Sequence, residues 1–424
     1  MSMVGGGTRD DLWWHVYPLG AVGAPIRERQ GDDATGGVVH RLDRLTPWVE
    51  RAAGLGLTGL QLGPVFASST HGYDTVDHDT VDPRLGDRAD LERLFAHAHG
   101  LGLRVMLDGV FNHVGAEHPL FRQALAEGPG SSAARLFRID WSAPGGPRAA
   151  TFEGHDRLVT LNHDEPAVAD LVAGVMTRWL DAGADAWRLD AAYAVPPEFW
   201  SRVLPRVRSA HPDVTVIGEV IHGDYVDLVA RSGLDGVTQY ELWKAVWSSL
   251  TDRNLFELAW ALKRHTGFVE HFRPMTFVGN HDVTRIASRV GDRGAVLALA
   301  VLMTVGGSPS VYYGDEDAYR GVKEERLGGD DAVRPVLPAS PAELSALGAW
   351  MVEATRTLVG LRRRHPWLAD ARTEVVATAN EQLTYRSVGV GADHGRTLTV
   401  ELDLMAGGGD GAARITGEGE SLSV

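Results

Sequence analysis

Short apolar runs alternate with stretches of helical period along most of this chain. Eight runs stand out: "LWWHVYPLG" (12–20), "LTGLQLGPVF" (57–66), "LRVMLDGVF" (103–111), "DAWRLD" (185–190), "VTVIGEV" (214–220), "DGVTQY" (235–240), "MTFVGNHD" (275–282) and "SPSVYYGDE" (308–316). Near-continuous apolar runs of this length are expected of strands covered on both faces, as in a parallel sheet flanked by helices. Between them lie amphipathic stretches such as "RLDRLTPWVERAAGLG" and "RADLERLFAHAHGLG", each closing on glycine before the next strand. Glycine ends helices in this way because it accepts the left-handed conformation at no steric cost. Eight strand–helix units over about 350 residues predict an α/β fold, a (β/α)8 TIM barrel. A Rossmann-type sheet would call for a G-x-G-x-x-G turn after the first strand, and that turn is missing.

Two regions break the rhythm. Residues 114–161 hold "AEGPGSSAARLF" and "SAPGGPRAATFEG" without a clean helical period, and read as a short, loop-rich insertion after the third strand. From about residue 366 onward, "EVVATANEQLTYRSVGVG" and "RTLTVELDLMAGG" alternate apolar with polar, which predicts a small C-terminal all-β domain. The expected organisation is therefore barrel over 1–113, insertion over 114–161, barrel again over 162–365 and β domain over 366–424. The closing "GDGAARITGEGESLSV" is small and polar, and is expected to be mobile.

Composition narrows the function. A formal net charge of -15 argues against nucleic-acid binding, which needs a basic patch or stripe. The chain has no cysteine, so a disulfide framework, a thiolate metal site and a cysteine nucleophile are all excluded. The opening "MSMVGGGTRDDLWW" lacks the basic-then-apolar pattern of a secretory signal, and no stretch approaches the roughly 20 apolar residues of a membrane helix. A cytoplasmic protein with no membrane partner is expected. Nothing in the sequence sets an oligomeric state.

The chemistry gathers at the C-terminal ends of the expected strands, where barrel enzymes build their sites. "THGYD" after the second strand carries Tyr73 and Asp74, and "DGVFNH" at the third carries Asp108, Asn112 and His113. The fourth ends in Arg188 and Asp190, the fifth in Glu219, and the seventh in Asn280, His281 and Asp282. Each alone has a plain reading: a carboxylate can cap the next helix, and a histidine can be a hydrogen-bonded packing residue. Five strand ends so furnished in one barrel point instead to a site.

Three carboxylates at such ends fit retaining glycoside hydrolysis, which uses a nucleophile and an acid about 5–5.5 Å apart. Asp190 would attack the anomeric carbon and Glu219 would protonate the leaving oxygen. Arg188 lies two residues before Asp190, on the same side of the strand, and would hold it ionised and oriented. Asp282 would bind hydroxyls of the reacting ring, His113 and His281 would donate hydrogen bonds to it, and Tyr73 would offer it an aromatic face.

The segments "DGVFNH", "WRLD", "GEV" and "NHD", in this order, together with "HGYDTVDHDTVDPRLGD" and "GSPSVYYGDE", resemble the α-amylase family of retaining α-glycosidases and transglycosylases. The resemblance spans residues 12 to about 337. It implies Asp190 as nucleophile, Glu219 as general acid/base and Asp282 as the third essential carboxylate. It carries Arg188, His113, His281 and Tyr73 to the subsite of the cleaved sugar, with Asp108 and Asp74 in support. It implies no cofactor for the chemistry. It also makes Asn112 a candidate ligand of a structural calcium, with Asp140 and Asp156 as further candidates.

The chain departs from the family's starch amylases at Tyr193 and Ala194, where those carry lysine and histidine, and "VIHGD" after the acid lacks their tryptophan. The expected function is a retaining α-glycoside hydrolase acting on a small-molecule carbohydrate, with α-glucosyl transfer and a catalytically inactive sugar binder as alternatives. A metal-dependent barrel hydrolase built on His113, His281 and Asp282 would want a denser histidine cluster.

Overall fold

The computed structural model describes residues 10–28, 33, 36–409 and 411–424; residues 1–9, on which the reading of the N-terminus partly rests, lie outside them. Each of the eight apolar runs forms a strand: β1 (Trp13–Val16), β2 (Gly59–Leu62), β3 (Arg104–Gly109), β4 (Ala186–Leu189), β5 (Thr215–Gly218), β6 (Gly236–Val237), β7 (Met275–Phe277) and β8 (Ser308–Tyr312). They make one sheet in the order β6-β5-β4-β3-β2-β1-β8-β7, and a parallel bridge from Thr238 to Met275 joins its ends. This is the barrel sheet that the alternation of runs predicts.

By internal contacts the chain divides into two compact units, Met1–His15, Glu50–Gly59 and Gly236–Val424 against Val16–Val49 and Leu60–Asp235. The second unit carries the ladders of β3, β4 and β5, in which Arg188 pairs with Asp108 on one side and with Ile217 on the other. All four residues of β4 are buried, as an apolar run covered on both faces requires. The helix Arg88–Gly100 starts at a capping box, with Asp87 accepting from the Asp90 N–H and Asp90 from the Asp87 N–H. The helix Pro166–Asp181 opens on proline, whose missing N–H costs nothing there, and buries Val168, Val172, Met176 and Trp179.

The insertion is more ordered than its sequence suggests. His113–Gly115 pairs with Leu158–Thr160, Ile139–Asp140 with Arg148–Ala149, and Pro119–Glu127 is a helix. That helix has a weak sequence signal because nine residues give only about two and a half periods; Pro119 and Gly128 mark its ends.

In the first unit, β1 and β7 both pair with β8. C-terminal to the barrel, β9 (Arg372–Thr378), β10 (Gln382–Val388), β11 (Thr397–Asp403), β12 (Ala412–Gly417) and β13 (Glu420–Ser423) form an antiparallel sheet in sequence order. The expected mobile tail is thus two strands. Ala413 and Ile415 alternate inward, and Ile415 sits opposite Val400. Two small apolar anchors among glycines make a weak signal until a partner strand is beside them.

Candidate active site

The second unit builds a charged cluster around Arg188, whose side chain is 4% exposed. Because β3 and β4 are in register, the guanidinium lies against Asp108; Nη1 donates to Oδ1 at 2.7 Å and to Oδ2 at 2.6 Å. Nη2 reaches Glu219 Oε1 at 2.6 Å, whereas Asp190 Oδ1 is 3.4 Å from Nη1. The sequence places Arg188 primarily with Asp190; the fold gives it shorter contacts with Asp108 and Glu219. The reason is geometric: Asp108 is its register partner on one adjoining strand, and Glu219 stands two residues past its partner Ile217 on the other, so both neighbouring strands bring a carboxylate to the guanidinium.

The parallel ladders run one step past the strands and fix both carboxylates. The Asp190 N–H donates to Gly109 O at 3.0 Å and the Glu219 N–H to Leu189 O at 2.8 Å. The Ala191 N–H then donates to Glu219 Oε2 at 3.1 Å. Ala191 holds φ +46°, a region a side-chain-bearing residue rarely enters, so the chain turns sharply directly after Asp190. Burial opposes the Arg188 charge, but Asp108, Glu219, Tyr73 and Asp190 outweigh it and push the guanidinium pKa well up. Arg188 therefore stays a fixed cation.

Tyr73 and His113 are tied into the same unit. The Tyr73 hydroxyl donates to Asp108 Oδ2 at 3.1 Å. The His113 Nε2–H donates to Tyr73 O at 3.0 Å, so its Nδ1 is the acceptor facing Asn112 Nδ2 at 3.1 Å. Burial pulls the His113 pKa down to about 4, which keeps this neutral tautomer. Asp74 serves its own loop, accepting from the Thr70 N–H at 3.1 Å and from the Thr70 hydroxyl at 2.6 Å. A Cβ on Gly115 would come within 2.6 Å of Asp74 O, so the glycine lets that loop pack down. The buried Tyr17, with no chemical signal in the sequence, donates its hydroxyl to His71 O at 2.7 Å.

In the first unit the "NHD" turn follows β7. Asn280 donates to the Tyr240 hydroxyl at 3.0 Å and accepts from the Asp282 N–H at 2.9 Å. His281 Nε2 lies 2.8 Å from Asp282 Oδ2, and the His281 ring meets His15 edge-on at 5.2 Å. Arg334, which the sequence does not single out, donates from Nε to His281 O at 2.9 Å and from Nη2 to Asp282 Oδ1 at 2.7 Å. It sits 52 residues from Asp282 in an irregular segment, where no periodicity marks it.

The donors named for calcium are each described by their own surroundings. Asn112 turns its amide to His113, Asp140 is exposed and closes on the Ser142 N–H and hydroxyl, and Asp156 is exposed. Calcium takes six to eight oxygens, more than these three side chains offer by themselves. Among the described residues, the group of acidic and histidine side chains close enough to hold an ion is His40, Asp87 and Asp90, within the helix cap. Arg93 reaches into it at Asp90, and a cation there would compete with a metal.

The family profile described as "Alpha amylase, catalytic domain" matches residues 29–145 and 151–399. The chain belongs to the α-amylase family. Among curated members, it is 29% identical over 405 residues to a cyclomaltodextrinase of Geobacillus thermopakistaniensis, covering 88% of this chain and 65% of that protein. It is also 29% identical over 394 residues to neopullulanase 2 of Thermoactinomyces vulgaris, covering 88% and 64%. This α-amylase-family chain thus spans less than two thirds of the length of these relatives. A cyclic α-maltosyl-(1→6)-maltose hydrolase from Arthrobacter globiformis, solved with that cyclic sugar, shares the fold with a TM-score of 0.80 and 22% identity over 98% of each chain. Among the described residues, no helix is long and apolar enough to cross a membrane.

Proposed function

We propose that the chain is a retaining α-glycoside hydrolase acting on α-glucosidic bonds of oligosaccharides or α-glucans. The observation that carries the reading is the single buried guanidinium of Arg188 with Asp108, Glu219 and Asp190 within 2.6 to 3.4 Å of it. A buried cation fixing three carboxylates is a poor stabilising device compared with apolar packing, so its value lies in the geometry it enforces. Membership of the α-amylase family adds the reaction class, and the named activities of the relatives point to maltose-based sugars.

In this mechanism an Asp190 oxygen attacks the anomeric carbon as the glycosidic C–O bond breaks, and the leaving oxygen takes the proton of Glu219. Water then enters, Glu219 removes its proton, and the hydroxide displaces Asp190, restoring the α configuration. Asp108 and Arg188 hold the nucleophile's surroundings rigid. Tyr73 and His113, locked together by hydrogen bonds, form one wall for the reacting sugar. In the first unit, Asp282 and His281, held by Arg334, are assigned to binding sugar hydroxyls. No cofactor enters, and we place the protein in the cytoplasm.

A product time course on maltoheptaose, starch, isomaltose, trehalose, sucrose and kojibiose, read by chromatography and by proton NMR of the first anomer released, tests this. Initial α-anomer from one or more substrates is the expected result. Initial β-anomer would overturn the retaining mechanism, and products longer than the substrate would assign transfer instead of hydrolysis.

A further inference from the structure

The second unit contains a contact that neither the barrel nor the catalytic chemistry requires. Within the insertion, Phe152–Gly154 forms a single tight turn, with Glu153 at φ +49° and ψ +29°. The Phe152 ring stacks on His113 at 4.8 Å with 13° between the planes. From the other direction, the turn after Asp190 presents Tyr193, whose hydroxyl donates to Glu153 Oε1 at 2.7 Å. The Tyr193 ring lies 5.2 Å from that of His222, three residues after Glu219. Both ends of this contact therefore belong to the site: Phe152 covers the histidine that holds Tyr73, and Tyr193 and His222 follow directly on the nucleophile and the acid. Since Glu219 protonates the leaving oxygen, the loop after it lies on the side of the leaving sugar.

We propose that the Glu153–Tyr193 hydrogen bond is a strap across the substrate path that selects for short or cyclic oligosaccharides over long glucan chains. The inference rests on the hydrolase reading above. Three features of the strap fit this role. It joins segments 40 residues apart, so the insertion is tied down at its tip. It holds Glu153 in a backbone conformation that a residue with a side chain leaves readily once its partner is gone. It also keeps its donor: burial, the bond to Glu153 and the charges of Glu153, Glu219 and Asp190 push the Tyr193 phenol up, so the hydroxyl stays protonated.

The test compares wild type with Tyr193→Phe, Glu153→Ala and Glu153→Gln, using maltotriose and soluble starch as substrates and hydrogen exchange across residues 150–156 as a readout independent of turnover. Tyr193→Phe and Glu153→Ala are expected to raise the starch-to-maltotriose ratio of kcat/KM about tenfold, the scale of one charge-assisted hydrogen bond, and to speed amide exchange in the turn. Glu153→Gln keeps an acceptor and should fall between them and wild type. An unchanged ratio in an enzyme that hydrolyses maltotriose would overturn the strap alone, whatever the exchange shows. Absence of wild-type turnover on every α-glucoside would overturn the hydrolase reading and the strap with it.

Discussion

Replacing Arg188 with methionine removes the charge while keeping most of the stem's volume. Its guanidinium makes contacts of 2.7 and 2.6 Å to Asp108 and 2.6 Å to Glu219, all buried. Breaking a buried pair from one side costs about 3–5 kcal/mol, because the remaining carboxylates keep their desolvation penalty without their partner. Arg188→Met is therefore expected to lose about that much stability at neutral pH by urea unfolding. The sign of the pH dependence follows. Without the arginine, the buried carboxyls are better tolerated protonated, so the folded variant binds more protons than its unfolded chain and its stability falls as pH rises. The deficit against wild type should be largest near pH 8 and shrink towards pH 5. Turnover should drop by about two orders of magnitude or more, the equivalent of roughly 3 kcal/mol of lost alignment. A variant within about 1 kcal/mol of wild type at both pH values, the scale of an exposed surface pair, would refute the claim that this cation organises the site.

Asp190→Asn is expected to abolish turnover with an unchanged circular-dichroism spectrum; full retained activity would remove it as nucleophile. Glu219→Gln should spare aryl glycosides with good leaving groups far more than maltoheptaose, because they need less protonation; equal losses on both would count against an acid role. Arg334→Ala should cost about 10- to 100-fold in kcat/KM, the worth of a charge-assisted bond to Asp282, and a loss under threefold would mean that Asp282 is held by other groups. The imidazoles of His113 and His265, whose pKa values burial lowers to about 4, should stay neutral at pH 5 in nitrogen NMR, whereas a midpoint near 6.5 would contradict their burial. Their folded-state values lie below the unfolded one, so below about pH 6.5 the unfolded chain gains protons that the folded chain refuses, and each should withdraw on the order of 3 kcal/mol of stability by pH 4.

Much of the barrel was legible because its signal is local. An apolar run such as 103–111 or 214–220 is read in a window of seven to nine residues, and each strand fell inside its run. The short helix Pro119–Glu127 and the strand Ala412–Gly417 were missed because so few residues carry too little period to stand out from loop. At the site, Asp108, Arg188, Asp190 and Glu219 were readable as polar residues interrupting buried strands. The partners Tyr17, Glu153 and Arg334 were not, since each sits in an irregular or unremarkable stretch and acquires its role only from what the fold sets opposite it.

By itself, the sequence determined which segments become strands and which residue types stand at their ends, because burial pattern and strand termination are properties of contiguous residues. The tertiary structure decided who pairs with whom. Strand register put Arg188 level with Asp108 and within reach of Glu219 more closely than Asp190, its neighbour in sequence. Register is set by packing between segments about 80 and 30 residues apart, and no local pattern records it.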